Sequence, residues 1–180
     1  YVSASSEYTT VGTNTLLTNT GAGTLTCWAK WTATATNTYL LSLRSGSGTT
    51  NRLALITNRT AAGRFGAYAV AGDAEATQIK EHAGALNDGN WHHLVAAVDY
   101  ANDILTMYVD GAAVTASGTI AFTATATSNT NSTGFGIGAL ATGANGTSAT
   151  IDDVRIYSRA LSADDVAELY AYTGAAEFPY

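Results

Sequence analysis

Apolar and polar residues alternate with a period of two along most of the chain, which is the pattern of β-strands. In the clearest stretch, residues 24–31, Cys27 falls on the apolar face and Trp28 on the other. The further predicted strands are residues 39–44, 52–57, 64–70, 92–100, 104–110, 135–140 and 149–157. Short strands with turn residues between them and no interleaved helices predict an all-β antiparallel sandwich or jelly roll.

One short C-terminal helix is predicted at about residues 162–173. Ser162 is a good N-cap, and Asp165 can return a hydrogen bond to it. Val166 belongs to an apolar stripe along the helix, and Gly174 is a suitable C-terminal stop. A helix this short is marginal on its own, so we expect it to pack on a sheet.

The length of 180 residues suits one domain over residues 1–180. The single cysteine, Cys27, excludes an intrachain disulfide and a cysteine-cluster zinc site, and its place on the apolar face predicts a buried, inert thiol. No apolar run approaches the ~18 residues of a membrane span, and no secretory signal peptide is visible. We therefore expect no membrane insertion.

The charge is acidic, with 14 Asp and Glu against 8 Lys and Arg and a net charge of −6. Nucleic-acid binding depends on clustered Lys and Arg, and here they are scattered, so we expect no nucleic-acid partner. A Thr-rich surface of low charge is common on extracellular and virion-surface proteins. An extracellular or virion-surface location is the corresponding expectation.

Several segments carry a family resemblance. Residues 88–95 read DGNWHHLV, residues 105–111 read LTMYVDG, and residues 151–162 read IDDVRIYSRALS. Residues 5–8 and 25–30 match more weakly. In order and spacing the chain resembles the laminin G-like, concanavalin A-like lectin/glucanase domains of bacterial and viral surface proteins. The resemblance implies a jelly roll of two large antiparallel sheets, one concave and one convex, but a fold alone implies no function.

The resembling glucanases carry two catalytic glutamates around an aspartate on one strand, and no glutamate of this chain stands in that pattern. Glu75 and Glu81 share strand parity, but roughly 20 Å of strand would separate them. A glycosidase pair needs about 5–10 Å between its carboxyl groups. Gln78 and His82 lie on the same strand face, which is a weak resemblance to the active-site residues of the lyases of this fold. We expect no enzymatic activity and assign no catalytic residue.

His92 and His93 are adjacent, so on a strand they point to opposite faces and cannot both bind one metal ion. We expect one packed histidine and one that is hydrogen-bonded or exposed. Asp110 and Gly111 predict a hairpin turn.

A structural calcium ion is implied by the resemblance, since related lectins and glycanases bind one near the start of the last strand. The matching residue is Asp152, with Glu7 and a backbone carbonyl of Gly46 or Gly48 as partners. The alternative is that Asp152 and Asp153 face solvent or pair with a nearby arginine.

The predicted function is a non-catalytic recognition or adhesion module that binds a glycan or a protein surface. Sugar binding uses exposed aromatic rings with hydrogen-bonding groups around them, and the candidates are Trp28, Tyr39, Arg64 and Tyr68. One alternative is a structural or decoration protein of a phage particle, in contact with other virion subunits. A second alternative is a hydrolase or lyase of the same fold.

Overall fold

The computed structural model describes residues 8–12, 17–18, 20–44, 51–72, 76–122 and 134–174. These described residues form twelve strands and one helix. The strands are β1 Thr9–Val11, β2 Ala22–Lys30, β3 Thr38–Arg44, β4 Asn51–Thr57, β5 Arg64–Ala69, β6 Gln78–Ala85, β7 His92–Asp99, β8 Ile104–Val109, β9 Ala112–Ala113, β10 Ala116–Ser117, β11 Gly134–Ile137 and β12 Thr150–Tyr157, and the helix is α1 Ala163–Gly174.

The strands form two antiparallel sheets. The larger has seven strands in the order β1-β11-β3-β4-β5-β6-β10, and the smaller has five in the order β12-β2-β7-β8-β9. Leu, Ala and aromatic side chains from both sheets form the main core between them. The predicted all-β two-sheet jelly roll with a short C-terminal helix is confirmed.

The period-two pattern places side chains as predicted in β2. Cys27 is fully buried in the core between the sheets, whereas Trp28 lies on the outer face of the five-stranded sheet. Burial raises the pKa of the Cys27 thiol far above its ordinary value, so the thiol is held neutral.

Helix α1 covers part of that outer face. The Ser162 Oγ accepts a hydrogen bond from the Asp165 N–H at 3.2 Å, and the Asp165 carboxylate accepts one from the Ser162 N–H at 2.8 Å. This is the predicted capping box. Val166 of the helix packs with Val95 and Tyr108 of the sheet in a second apolar cluster. Within the described ranges, no helix is both long and apolar enough to cross a bilayer.

The hairpin turn predicted at Asp110 and Gly111 joins β8 to β9. Both residues have positive φ angles, 51° and 81°, and Val109 pairs directly with Ala112. These are the features of a two-residue type I′ turn, which Asp-Gly favours.

The seven-stranded sheet differs from the sequence prediction at the end of one strand and in three strands that the prediction lacks. The strand predicted at 135–140 stops at Ile137, because Gly138 adopts a φ of 81° and turns the chain back. Strands β1, β6 and β10 are additional. Strands β1 and β10 have only three and two residues, and the polar residues of β6 partly obscure its alternation.

Candidate functional site

The outer face of the seven-stranded sheet carries two parallel rows of side chains. Strand register places one row as Gly136, Ser42, Ala54, Tyr68 and Ile79, and the next as Tyr39, Ile56, Gly66, Glu81 and Ser117. The small residues in these rows leave space for the larger side chains beside them to pack against the sheet. Tyr39, Ala54, Ile56 and Tyr68 form an apolar cluster there, separate from the main core.

Tyr39 and Tyr68 meet edge to face, with ring centroids 6.0 Å apart. Their exposed fractions are 7% and 8%, so little of either ring is open to a ligand. A sugar ring stacks on an exposed aromatic face, and these two faces are instead used for packing. Their contribution to a binding site is therefore a rigid base and polar atoms.

A hydrogen-bond chain runs along the edge of this cluster. The Arg59 Nε–H donates to the Tyr68 hydroxyl at 3.0 Å, and that hydroxyl donates to Asn37 Oδ1 at 3.0 Å. The Arg59 guanidinium carbon also lies 5.8 Å from the Tyr68 ring centroid, within cation–π distance. We call Asn37, Tyr39, Arg59 and Tyr68 the rim cluster.

The turn that carries Arg59 is fixed by Asn58, which is 1% exposed. The Asn58 Nδ2 donates to the carbonyls of Ala33 and Ala35 at 3.1 and 3.0 Å, and its Oδ1 accepts from the Gly63 N–H at 2.6 Å. One buried amide thus joins the 58–63 turn to the 31–37 segment that carries Asn37.

The same turn is held from its other side by Glu81, which is 4% exposed. Its carboxylate accepts hydrogen bonds from the Thr60 N–H at 3.1 Å, from the Thr60 hydroxyl, and from Arg64 Nη1 at 2.9 Å. Burial alone would raise the pKa of Glu81, but the hydrogen bonds from Thr60 and Arg64 outweigh it and hold the pKa below the ordinary value. We call Thr60, Arg64 and Glu81 the Glu81 clamp.

A third segment, residues 138–146, folds back over β11 and β3. The Ser42 hydroxyl accepts a hydrogen bond from the Ala141 N–H at 3.0 Å, and the Tyr39 N–H donates to the Asn145 carbonyl at 3.0 Å. A Cβ on Gly136 would lie 2.5 Å from the Ala139 carbonyl oxygen, so this close approach requires glycine. Asn145 is exposed next to Tyr39 at the rim.

The structure brings Tyr39, Arg64 and Tyr68 of the predicted ligand-binding residues together on this face. It places Trp28 elsewhere, on the outer face of the five-stranded sheet, where its ring stacks 5.5 Å from Tyr170 of helix α1. Arg59, which the sequence prediction missed, lies in the turn after β4, and strand periodicity carries no information about turn residues. A ligand-binding role for the four predicted residues stays a prediction.

The adjacent histidines have the predicted structural roles. His93 is 1% exposed, its Nε2 lies 2.8 Å from the Thr26 hydroxyl, and burial lowers its pKa to about 4. The His92 ring contacts the carboxylates of Asp110 and Asp88 at 2.8 and 3.3 Å. Asp110 also accepts a hydrogen bond from the His93 N–H at 2.9 Å. Residues 88–95, which carry part of the family resemblance, therefore stabilise the end of a hairpin, and their two histidine rings do not converge on one metal ion.

At the predicted calcium position, Asp152 is exposed and its Oδ1 accepts a hydrogen bond from the Asp153 N–H at 2.8 Å. Asp153 pairs with Arg155 Nε at 2.8 Å. Glu7 and Gly46 lie outside the described residues. Within the part of the chain that is described, no three His, Cys, Asp or Glu side chains converge on one point. Of the predicted calcium ligands, Asp152 is the one that lies in the described part of the chain, and calcium binding stays a prediction.

A groove of about 470 Å³ lies between β12 and α1, lined in part by Arg155, Arg159, Asp165 and Tyr172. Its two guanidinium groups are already neutralised. Arg155 pairs with a neighbouring aspartate, and Arg159 forms a bidentate pair with Asp165 at 2.6 and 2.8 Å. An anionic ligand would have to compete with these aspartates, so the groove is less suited to bind an anion than the rim cluster is.

Comparison with known proteins agrees with this architecture. A laminin G family model, described as the concanavalin A-like lectin/glucanases superfamily, matches residues 3–167. No curated protein sequence matches the chain.

Several solved structures share the fold. Trypanosoma rangeli sialidase has a TM-score of 0.62 at 20% identity, over 86% of this chain and 23% of that chain. The heptameric SAP-like pentraxin of Limulus polyphemus has a TM-score of 0.62 at 12% identity, over 88% of this chain and 72% of that one. The binding domain of botulinum neurotoxin DC, in complex with rat synaptotagmin II, has a TM-score of 0.59 at 11% identity, over 84% and 36%.

These identities are low, so the solved structures support the fold alone, and the chain spans 23% of the sialidase. The family model, in contrast, covers most of the sequence, and the two antiparallel sheets have the architecture it implies. The chain therefore belongs to the concanavalin A-like lectin/glucanase superfamily.

Proposed function

We propose that this chain is a non-catalytic recognition domain that binds glycans at the rim cluster. The observation that carries the proposal is the hydrogen-bond chain from Arg59 through Tyr68 to Asn37. It presents a guanidinium and an amide, fixed by buried contacts, beside the start of β3 and the end of β4. Sugar hydroxyls are recognised by such planar donors and acceptors held in place before binding.

The acidic residues of the seven-stranded sheet support the non-catalytic part of the proposal. Among the residues of its strands, Glu81 is the acidic one; Arg64 neutralises its carboxylate, and Thr60 holds it with hydrogen bonds. Glycoside hydrolysis uses two carboxyl groups about 5–10 Å apart, one of them kept protonated. A single carboxylate with a lowered pKa suits neither the acid nor the paired role.

Two proteins of the same fold have been solved with bound molecules, which supports a recognition function. The sialidase has been solved with sialic acid, and the toxin binding domain with a protein, rat synaptotagmin II. A location outside the cell or on a virion surface is part of this proposal, because glycan ligands are displayed there. A protein ligand is the competing outcome.

A glycan array probed with the folded domain tests the proposal. We expect defined glycans to bind, and Asn37→Ala and Arg59→Ala to weaken binding by on the order of tenfold, the value of a lost hydrogen bond to a charged or buried group. Asn102→Ala and Arg159→Ala are matched controls, because both residues are exposed and belong to the other side of the sandwich. A blank array with correctly folded protein would overturn glycan binding and favour a protein ligand.

A further inference from the structure

Arg59 differs from the other arginines whose side chains the structure describes. Each of the others pairs with a carboxylate: Arg64 with Glu81, Arg155 with Asp153, and Arg159 with Asp165. Arg59 instead has the Tyr68 hydroxyl and ring as its partners. Among the described residues, its positive charge is therefore not compensated by an acidic group, although the chain as a whole carries a net charge of −6.

The geometry leaves the end of the Arg59 guanidinium open. Its Nε–H is used by Tyr68 at 3.0 Å, while no acceptor among the described residues engages Nη1 or Nη2. A guanidinium binds a carboxylate or sulfate through two parallel N–H groups, and the Nη1–Nη2 edge offers such a pair. Because Tyr68 and the half-buried position of Arg59 restrict its rotamers, less side-chain entropy is lost when an anion binds.

The surroundings of Arg59 suit a sugar that carries the anion. Asn37 of the rim cluster and Asn145 on a flanking segment are exposed, and they supply amide groups but no charge. The neighbouring Glu81 carboxylate is buried and already paired with Arg64, so it adds little repulsion at the surface. The Arg59 guanidinium is a single positive charge among neutral hydrogen-bonding groups. It is therefore complementary to a sugar that carries one anionic group among its hydroxyls.

We propose that the ligand of the rim cluster is an acidic glycan, whose carboxylate or sulfate pairs with the Nη1–Nη2 edge of Arg59. The inference rests on the proposed function and narrows it to a substrate class. The pairing requires the planar fork as well as the charge, so lysine at this position is expected to substitute poorly.

The test compares matched glycans that differ in one group: a neutral oligosaccharide, its carboxylated form (a uronic or sialic acid) and its sulfated form. We expect at least tenfold tighter binding of one anionic form, with weaker binding at higher salt. Arg59→Gln is expected to remove this preference, so that the neutral and anionic forms bind the variant with similar affinities. Arg59→Lys is expected to recover only part of the preference. Arg159→Gln makes the same change of charge at the helix and is expected to leave the preference intact.

The outcomes separate the two proposals. If neutral and anionic forms bind equally and Arg59→Gln has no selective effect, the acidic-glycan inference is wrong and glycan recognition stands. If a preference exists but Arg159→Gln reduces it as much as Arg59→Gln does, the preference reflects net charge, and the role of Arg59 is wrong. If no glycan binds although circular dichroism shows folded protein, the proposed function itself fails.

Discussion

The Glu81 clamp gives the most direct prediction, because one carboxylate holds the turn that carries Arg59. Glu81→Gln keeps the size of the side chain but removes its charge. Hydrogen bonds to charged groups contribute about 1.5–3 kcal/mol each, but Arg64 is partly exposed and the amide oxygen can still accept the Thr60 N–H. We therefore expect a loss of about 1–2 kcal/mol in the free energy of unfolding, or about 2–8 °C in Tm for a chain of this size.

The effect of this substitution depends on pH in a defined direction. The folded-state pKa of Glu81 lies below its ordinary value of 4.5, so ionisation stabilises the folded protein above about pH 4.5. This advantage over the Gln variant shrinks as the pH falls through the lowered pKa. The other titratable groups are common to both proteins, so their contributions cancel in the difference.

Urea unfolding of both proteins at pH 7 and pH 3 measures the difference directly. Glu168→Gln is the matched control, because it removes the charge of an exposed glutamate, and we expect a change within about 0.5 kcal/mol. Equal stability of wild type and Glu81→Gln at pH 7 would refute the reasoning. A difference of the same size at both pH values would refute its electrostatic part. The variant should also bind glycan more weakly, although Glu81 is buried away from the ligand.

Further predictions concern the other sheet and the core. Tyr170→Ala is expected to cost about 1–3 kcal/mol in unfolding free energy, because the ring stacks on Trp28; unchanged stability in urea would show that the helix does not depend on this contact. Because burial raises the pKa of the Cys27 thiol, a thiol reagent should react only when denaturant is added, and rapid labelling of native protein would contradict this. Burial lowers the pKa of His93 from 6.5 to about 4, so the folded protein should lose on the order of 3 kcal/mol as the pH falls across that window, and His93→Gln should flatten that profile. Calcium should raise Tm, and Asp152→Ala should abolish the rise; identical melting in calcium and in EDTA would remove the calcium prediction.

Much of the fold could be predicted from the sequence because the determining signals are local. Alternation along β2 fixed which face Cys27 occupies, and the capping residues around Ser162 located α1. Alternation does not predict strand β6, because this partly exposed strand near the edge of the sheet contains Lys, Glu and His residues. Its alternation reflects contacts with turns and with β10 rather than a simple apolar face.

The candidate site was predictable only in part, for a different physical reason. Parity along a strand places Tyr68 and Arg64 on the same face, but it cannot say what covers that face or which sheet a second strand joins. Parity could not reveal that Tyr68 is too buried to stack on a sugar ring. Nor could it reveal that Trp28 lies under the helix on the other sheet. Arg59 depends on tertiary contacts of a turn, and no sequence period reports those.

The three segments around the rim cluster share one backbone feature that restricts their conformations. Each contains an asparagine in the left-handed conformation: Asn37 at φ 60°, Asn58 at 57° and Asn145 at 52°. Asparagine adopts this conformation at lower cost than most residues, and here its backbone or side chain also bonds to a neighbouring segment. The polar groups of the rim are thus ordered before any ligand arrives, so binding loses less conformational entropy. Under the proposed function, such prior ordering lowers the entropy cost of binding, so we expect changes in the buried supports to weaken binding as changes in Arg59 do.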